Sequence, residues 1–176
     1  PENEYRNCLL VEQPNSDFAH IMVRQFFMDT FNYYFLVELT NSSDEFLRNI
    51  ATKSLKEVTY HLRRSSEWVV RFGKGTGESK ERAQKAINKL WRYTDELFVP
   101  SDAAKVLFSS NVSTDLEKVK AEWGQRVNEI FYMAHLSKSE NGFQLYGGKT
   151  GVHSEYMGFI LGDIQFWTNK YPEATW

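Results

Sequence analysis

The sequence predicts an all-α helical bundle, and three observations carry that prediction. Apolar residues recur at helical spacing along most of the chain. No stretch of any length alternates apolar and polar residues as a half-buried strand would. Clusters of Gly, Ser, Asn, Asp and Pro separate the periodic stretches and supply caps and stops.

The elements follow in order. The first dozen residues, through Val11, Glu12 and Gln13, read as extended. Pro14-Asn15-Ser16-Asp17 reads as a turn into a helix N-cap. Phe18, Met22, Gln25, Asp29, Asn32 and Leu36 then form one stripe, which predicts a long helix from about Ser16 to Leu39. Thr40-Asn41-Ser42-Ser43-Asp44 breaks it and caps the next, expected from about Asp44 to Phe72. The glycines of Gly73-Lys74-Gly75-Thr76-Gly77 stop that second helix. Two long helices joined by so short a turn make an antiparallel hairpin, which needs partners to bury its apolar stripes. A third helix is expected over about Ser79 to Phe98, ahead of Pro100. A fourth follows Ser113 through Leu116, Val119, Trp123, Val127 and Ile130, and a last one spans about Val152 to Lys170.

Composition narrows the function classes. The chain has 176 residues, a size that suggests one domain, and 41% of them are hydrophobic, enough for a core. A formal net charge of -2 argues against nucleic acid or an anionic membrane as partner. No apolar run approaches the ~20 residues of a membrane span. The single cysteine, Cys8, excludes an intrachain disulfide and fits a reducing cytoplasm. With no neighbouring base in the sequence it reads as an inert buried thiol. The chain starts at Pro1 rather than Met, as a fragment or a processed chain would.

The chemistry lies in Glu57-Val58-Thr59-Tyr60-His61. A di-iron carboxylate bundle takes one carboxylate from each of two helices and Glu-x-x-His from each of the other two. Spacing of three puts Glu and His over the same metal pair. Here the pattern is off by one: Glu57 has Tyr60 where His belongs, and His61 has Val58 where Glu belongs. Spacing of four still leaves Glu57 and His61 on neighbouring parts of one face. They are therefore either weak chelators or a hydrogen-bonded polar pair inside the bundle. Asp29 is their companion, near the middle of the preceding helix. It is either a ligand or a structural acceptor, with Arg24, Lys53 or His61 as counter-charge.

Other features are discounted. Gly147-Gly148-Lys149-Thr150 resembles a phosphate-binding loop, but Phe143 stands where that motif needs glycine and no strand precedes it. His153-Ser154-Glu155 reads as a capping region or an interface, and Asn111-Val112-Ser113 is a sequon without meaning in a cytoplasmic protein. His20 and His135 are single and unpaired.

Four runs together resemble a known family. They are Leu9-Leu10-Val11-Glu12-Gln13-Pro14-Asn15, Lys56-Glu57-Val58-Thr59-Tyr60-His61-Leu62-Arg63, Ala86-Ile87-Asn88-Lys89-Leu90-Trp91-Arg92 and Gly147-Gly148-Lys149-Thr150-Gly151-Val152-His153-Ser154-Glu155. They resemble the PaaC subunits of the ring 1,2-phenylacetyl-CoA epoxidase, the multicomponent monooxygenase of phenylacetate breakdown. The resemblance implies a ferritin-like helical bundle. It implies that the catalytic di-iron centre belongs to a homologous partner subunit, PaaA, that this chain binds no cofactor, and that it supports the complex. On that reading Asp29, Glu57 and His61 are remnants of the metal site. The resemblance also implies two further helices ahead of the position of Pro1. Without them the chain offers at most half a ligand set and leaves apolar faces uncovered, which predicts a homo- or hetero-oligomer, helix sharing between chains, or a clipped N-terminal piece. Arg63, Arg64, Trp91, Trp123 and Trp167 are the candidate anchors for partners. The competing expectation is a stand-alone di-iron oxidase that uses Asp29, Glu57 and His61.

Overall fold

In the computed structural model, which describes residues 1–140 and 142–175, every regular element is a helix. In chain order these are α1 (Leu9–Glu12), α2 (Phe18–Leu39), α3 (Glu45–Lys74), α4 (Gly77–Leu90), α5 (Asp102–Ser109), α6 (Leu116–Ala134) and α7 (Tyr156–Lys170). Short 3-10 turns sit at Glu2–Glu4, Trp91–Tyr93, Asp95–Phe98 and Gly148–Thr150.

Local chemistry sets most starts. The side chains of Asp17, Asp44, Thr76, Ser101 and Asp115 each accept a backbone N–H from the first turn of α2, α3, α4, α5 and α6. This satisfies donors that a helix start otherwise leaves unpaired. At the end of α6, His135 takes the left-handed conformation (φ 53°) in which glycine is more usual.

α2 and α3 form the expected antiparallel hairpin, and α4 and α6 pack against both of its helices. The core between them centres on Val23, Phe26, Phe27, Val69, Ile87, Leu90, Val127 and Phe131. α3 crosses α6 so closely at Gly73 that a Cβ there would lie 1.9 Å from Ala134 O. The tip of the hairpin is pinned by Ser42 Oγ donating to Val112 O (2.6 Å) and Ser43 N donating to Asn111 O (2.9 Å).

Several boundaries differ from those expected. Leu9–Glu12 is a helical turn rather than extended chain, and burial of Leu9 and Leu10 against the bundle decides it. The third helix stops at Leu90, not Phe98, because two 3-10 turns follow and aim Glu96 inward. The fourth is capped by Asp115, not Ser113. The last begins at Tyr156 rather than Val152, because His153 and Ser154 are engaged elsewhere. α5 has no counterpart among the expected helices.

Candidate functional site

α2 and α3 form the walls of an open cleft of about 640 Å³ lined by Phe18, Ile21, Met22, Gln25, Asp29, Tyr60, His61 and Arg64. Asp29 lies at its floor and is 2% exposed. Gln25 Nε2 donates to Asp29 Oδ1 at 2.6 Å, and Oδ2 is buried with no partner. The nearby Ser65 Oγ sends its own bonds to His61 O (3.0 Å) and Leu62 O (3.3 Å). Burial pushes the Asp29 carboxyl above its ordinary range; Ser65, Gln25, His61 and Arg64 oppose that shift without cancelling it.

His61 lines the cleft above Asp29, and Glu57 does not join them. The side chains of Glu57 and His61 are 77% and 44% exposed, and they face each other along α3 at 3.7 Å. The expectation of a polar pair inside the bundle is therefore corrected: the pair exists as a long contact on an outward face. The cause is register. On α3 the core positions are Ala51, Leu62, Ser65, Val69 and Gly73, and Glu57 lies off that stripe. Nor does Asp29 find Arg24 as counter-charge; that guanidinium donates to Gln13 O and Asn15 Oδ1. One buried carboxylate, one exposed glutamate and one half-exposed histidine do not make the carboxylate-rich set a di-iron pair needs. Among the described residues no group of three or more His, Cys, Asp or Glu side chains is placed to hold a metal ion.

The five candidate anchors fall into different environments. Trp123 is a core residue, 5% exposed, and its Nε1 donates to Phe27 O at 3.0 Å. It fixes α6 to α2. Trp91 is half-buried in the same aromatic cluster, 5.9 Å from both Phe27 and Trp123 between ring centroids. Arg63 and Arg64 are exposed on α3, with Arg63 over the Tyr60 ring at 5.5 Å. Trp167 is 54% exposed on α7, stacked on Tyr171 at 5.9 Å.

Two buried polar clusters escape sequence reasoning. Glu12 and Glu96 are each 1% exposed. Glu12 Oε1 accepts from Asn7 Nδ2 (2.7 Å) and pairs with His153 Nδ1 (2.6 Å). Glu12 Oε2 accepts from Ser154 N (2.8 Å) and Ser154 Oγ (2.7 Å). Burial raises the Glu12 carboxyl, but His153, Ser154 and Asn7 outweigh it and hold the group below its ordinary value. Glu96 accepts from Leu9 N (2.6 Å), Gly147 N (2.8 Å) and Lys149 N (3.3 Å). Lys149 Nζ completes the loop by donating to Leu97 O (2.8 Å) and Val99 O (2.9 Å). The Gly147-Gly148-Lys149 turn is thus an anion cradle, as its glycines suggest, but the anion is the protein's own Glu96. Gly148 is obligatory there, since a Cβ would lie 2.2 Å from Asn7 O. Cys8 is buried beside the Glu96 cluster, and that burial raises its thiol and favours the protonated form. The available signal was a donor-rich glycine loop lacking a ligand, and two carboxylates set against apolar runs.

The whole chain, residues 1–176, matches the family model described as phenylacetic acid catabolic protein. The chain belongs to that family. It is 37% identical over 175 residues to the C subunit of the 1,2-phenylacetyl-CoA epoxidase of Escherichia coli (strain K12), covering 99% of this chain and 71% of that protein. Family membership supports a part in phenylacetate catabolism. In this member the first and last of the four runs that carry the resemblance, at opposite ends of the chain, touch: Glu12 of one binds His153 and Ser154 of the other. Among the described residues no helix is long and apolar enough to cross a membrane.

Proposed function

We propose that this chain is a non-catalytic structural subunit of a phenylacetyl-CoA epoxidase-type oxygenase in the cytoplasm. It binds a homologous catalytic subunit that holds the di-iron centre, and it holds no iron itself. The observation that carries the reading is the poverty of the donor set: Asp29 is buried at the floor of the cleft, His61 lines the same cleft half-exposed, and Glu57 lies exposed away from it. The likeness to the C subunit of an epoxidase supports the same reading. What the residues of this chain do is then mechanical. Helices α2, α3, α4 and α6 form a rigid aromatic core, and the Glu12 and Glu96 networks tie both ends of the sequence to it. Exposed Arg63, Arg64 and Trp167 are available to a partner.

The test is co-expression with the catalytic subunit of the same oxygenase, followed by native mass, iron content and epoxidation assays. A stable complex is expected, with iron unchanged by Glu57→Ala and His61→Ala. Trp167→Ala is expected to weaken the complex about tenfold without changing the melting temperature. Iron held by the isolated chain and lost in Glu57→Ala would overturn the reading in favour of a di-iron oxidase.

A further inference from the structure

α7 meets the bundle through its first turns, where it packs on α1 and buries Met157. From Gly162 to Lys170 every residue is exposed. A helical segment of that length does not persist unaided, since isolated helices shorter than ~12–15 residues are marginal in water. The exposed part is also apolar. Phe159 is 71% exposed, Ile164 69%, Phe166 50% and Trp167 54%. With Tyr171 these side chains offer roughly 600 Å² of mostly apolar surface, near the ~800 Å² that each partner brings to a specific interface.

The face has a pattern of its own. At about 100° per residue, Phe159, Asp163, Phe166, Trp167 and Lys170 fall on one side of α7, and Gln165, Thr168 and Asn169 fall on the other. Asp163 and Lys170 are the charged residues of α7 and stand two turns apart. No salt bridge among the described residues engages either one. The Lys170 ammonium lies instead over the rings of Phe166 (5.3 Å), Trp167 (5.8 Å) and Tyr171 (5.6 Å). One stripe thus carries an acid at one end, a base at the other and two aromatic rings between them.

That order is its own complement when reversed. A two-fold axis passing between Phe166 and Trp167 sets each Asp163 against Lys170 of a second copy, and each Phe166 against Trp167 of that copy. A parallel pairing sets like charges together and is disfavoured. We propose that α7 is a homodimerisation helix, whose Phe159, Asp163, Phe166, Trp167 and Lys170 face packs antiparallel on the same face of a second copy of this chain. The contact orders the free end of α7 and takes its rings out of water. Trp167 then serves an oxygenase complex by holding two copies of this subunit together, while Arg63 and Arg64 on α3 stay open to the catalytic subunit. The pairing itself does not depend on the oxygenase reading.

The experiment is sedimentation equilibrium of the purified chain without the catalytic subunit, with amide exchange along α7 read at each concentration. A dimer at micromolar concentration is expected, and the α7 amides gain protection as it forms. Lys170→Glu and Asp163→Lys each place like charges across the axis, and each is expected to raise the dimer dissociation constant at least about tenfold. Mixed in equal amounts the two variants pair again, because one face then carries only acids and the other only bases. Both positions are exposed, so helicity and melting of the monomer stay as in the wild type. Gln165→Glu, on the opposite side of α7, leaves the dimer intact. A monomer at every concentration overturns the proposal, and protected α7 amides in that monomer assign the face to another segment of the chain. A dimer indifferent to both charge variants, or no recovery on mixing them, also overturns it. So does release of the second copy when the catalytic subunit is added, with α7 protected in the resulting one-to-one complex, which assigns the face to that subunit. The first arm contains no catalytic subunit, so its failure leaves the oxygenase reading standing.

Discussion

Replacing Glu96 by alanine tests whether the two ends of this chain are held to the bundle by one carboxylate. Glu96 is 1% exposed and accepts three backbone donors: Leu9 N, Gly147 N and Lys149 N. The first two bonds are short, at 2.6 and 2.8 Å, and the third is marginal at 3.3 Å. A hydrogen bond to a charged group contributes about 1.5–3 kcal/mol, and an orphaned buried donor adds its own penalty. Two good bonds and a marginal one, with partial relaxation, give a loss of about 3–5 kcal/mol. For a domain of this size that lowers the melting temperature by roughly 10 °C. The assay is urea unfolding followed by tryptophan fluorescence, with amide exchange at Leu9 and Gly147 read in parallel. Both amides should lose protection before the core does. Glu96→Gln keeps one carbonyl oxygen and is expected to cost about 1–2 kcal/mol. A loss below about 1 kcal/mol in Glu96→Ala, with both amides as protected as before, would refute the staple.

Three more predictions follow from geometry. Gly73→Ala forces a Cβ to within 1.9 Å of Ala134 O, so α3 and α6 must separate; the expected loss is about 3 kcal/mol or more by thermal melting, and Ala134→Gly should not rescue it because the obstacle is backbone. Glu12 has its folded pKa held below its ordinary 4.5, so its stabilisation is complete above that value and is lost as pH falls through the lower folded one. A melting temperature gap between wild type and Glu12→Gln that fails to narrow in acid would contradict this. Asp29 has the opposite sign: its carboxyl is raised above its ordinary 3.8, so its favourable state is the protonated one, present at low pH and lost as pH rises through the folded value. Asp29→Asn should therefore stabilise the chain by about 1 kcal/mol at neutral pH and by nothing in acid, as measured by urea unfolding at the two pH values.

The secondary structure was legible where the pattern is strong. The 22 residues of α2 and 30 of α3 repeat apolar side chains at helical spacing between polar caps, and their ends were read to within about two residues. Boundaries failed where a residue serves a distant partner. Nothing local says that the helix after Gly77 should break at Leu90; it breaks where Glu96 turns toward Leu9, 87 residues away in sequence.

The class of fold, the hairpin and the poor fit of Gly147-Gly148-Lys149-Thr150 to a nucleotide were legible in the sequence. These depend on composition, period and local steric rules, which are properties of neighbours along the chain. The sequence also showed that Glu57 and His61 miss the metal spacing by one residue. Tertiary packing was needed to place Glu57 on an exposed face and His61 beside buried Asp29 in the cleft, to make Trp123 a core residue and Trp167 a surface one, and to join Glu12 with His153 and Glu96 with the backbone of Lys149 in two buried clusters. The physical reason is that burial and charge pairing depend on which faces meet. A one-position change in register on α3 turns a side chain by about 100°, and whether a carboxylate there is a ligand, a staple or a solvated charge is set by what lies opposite.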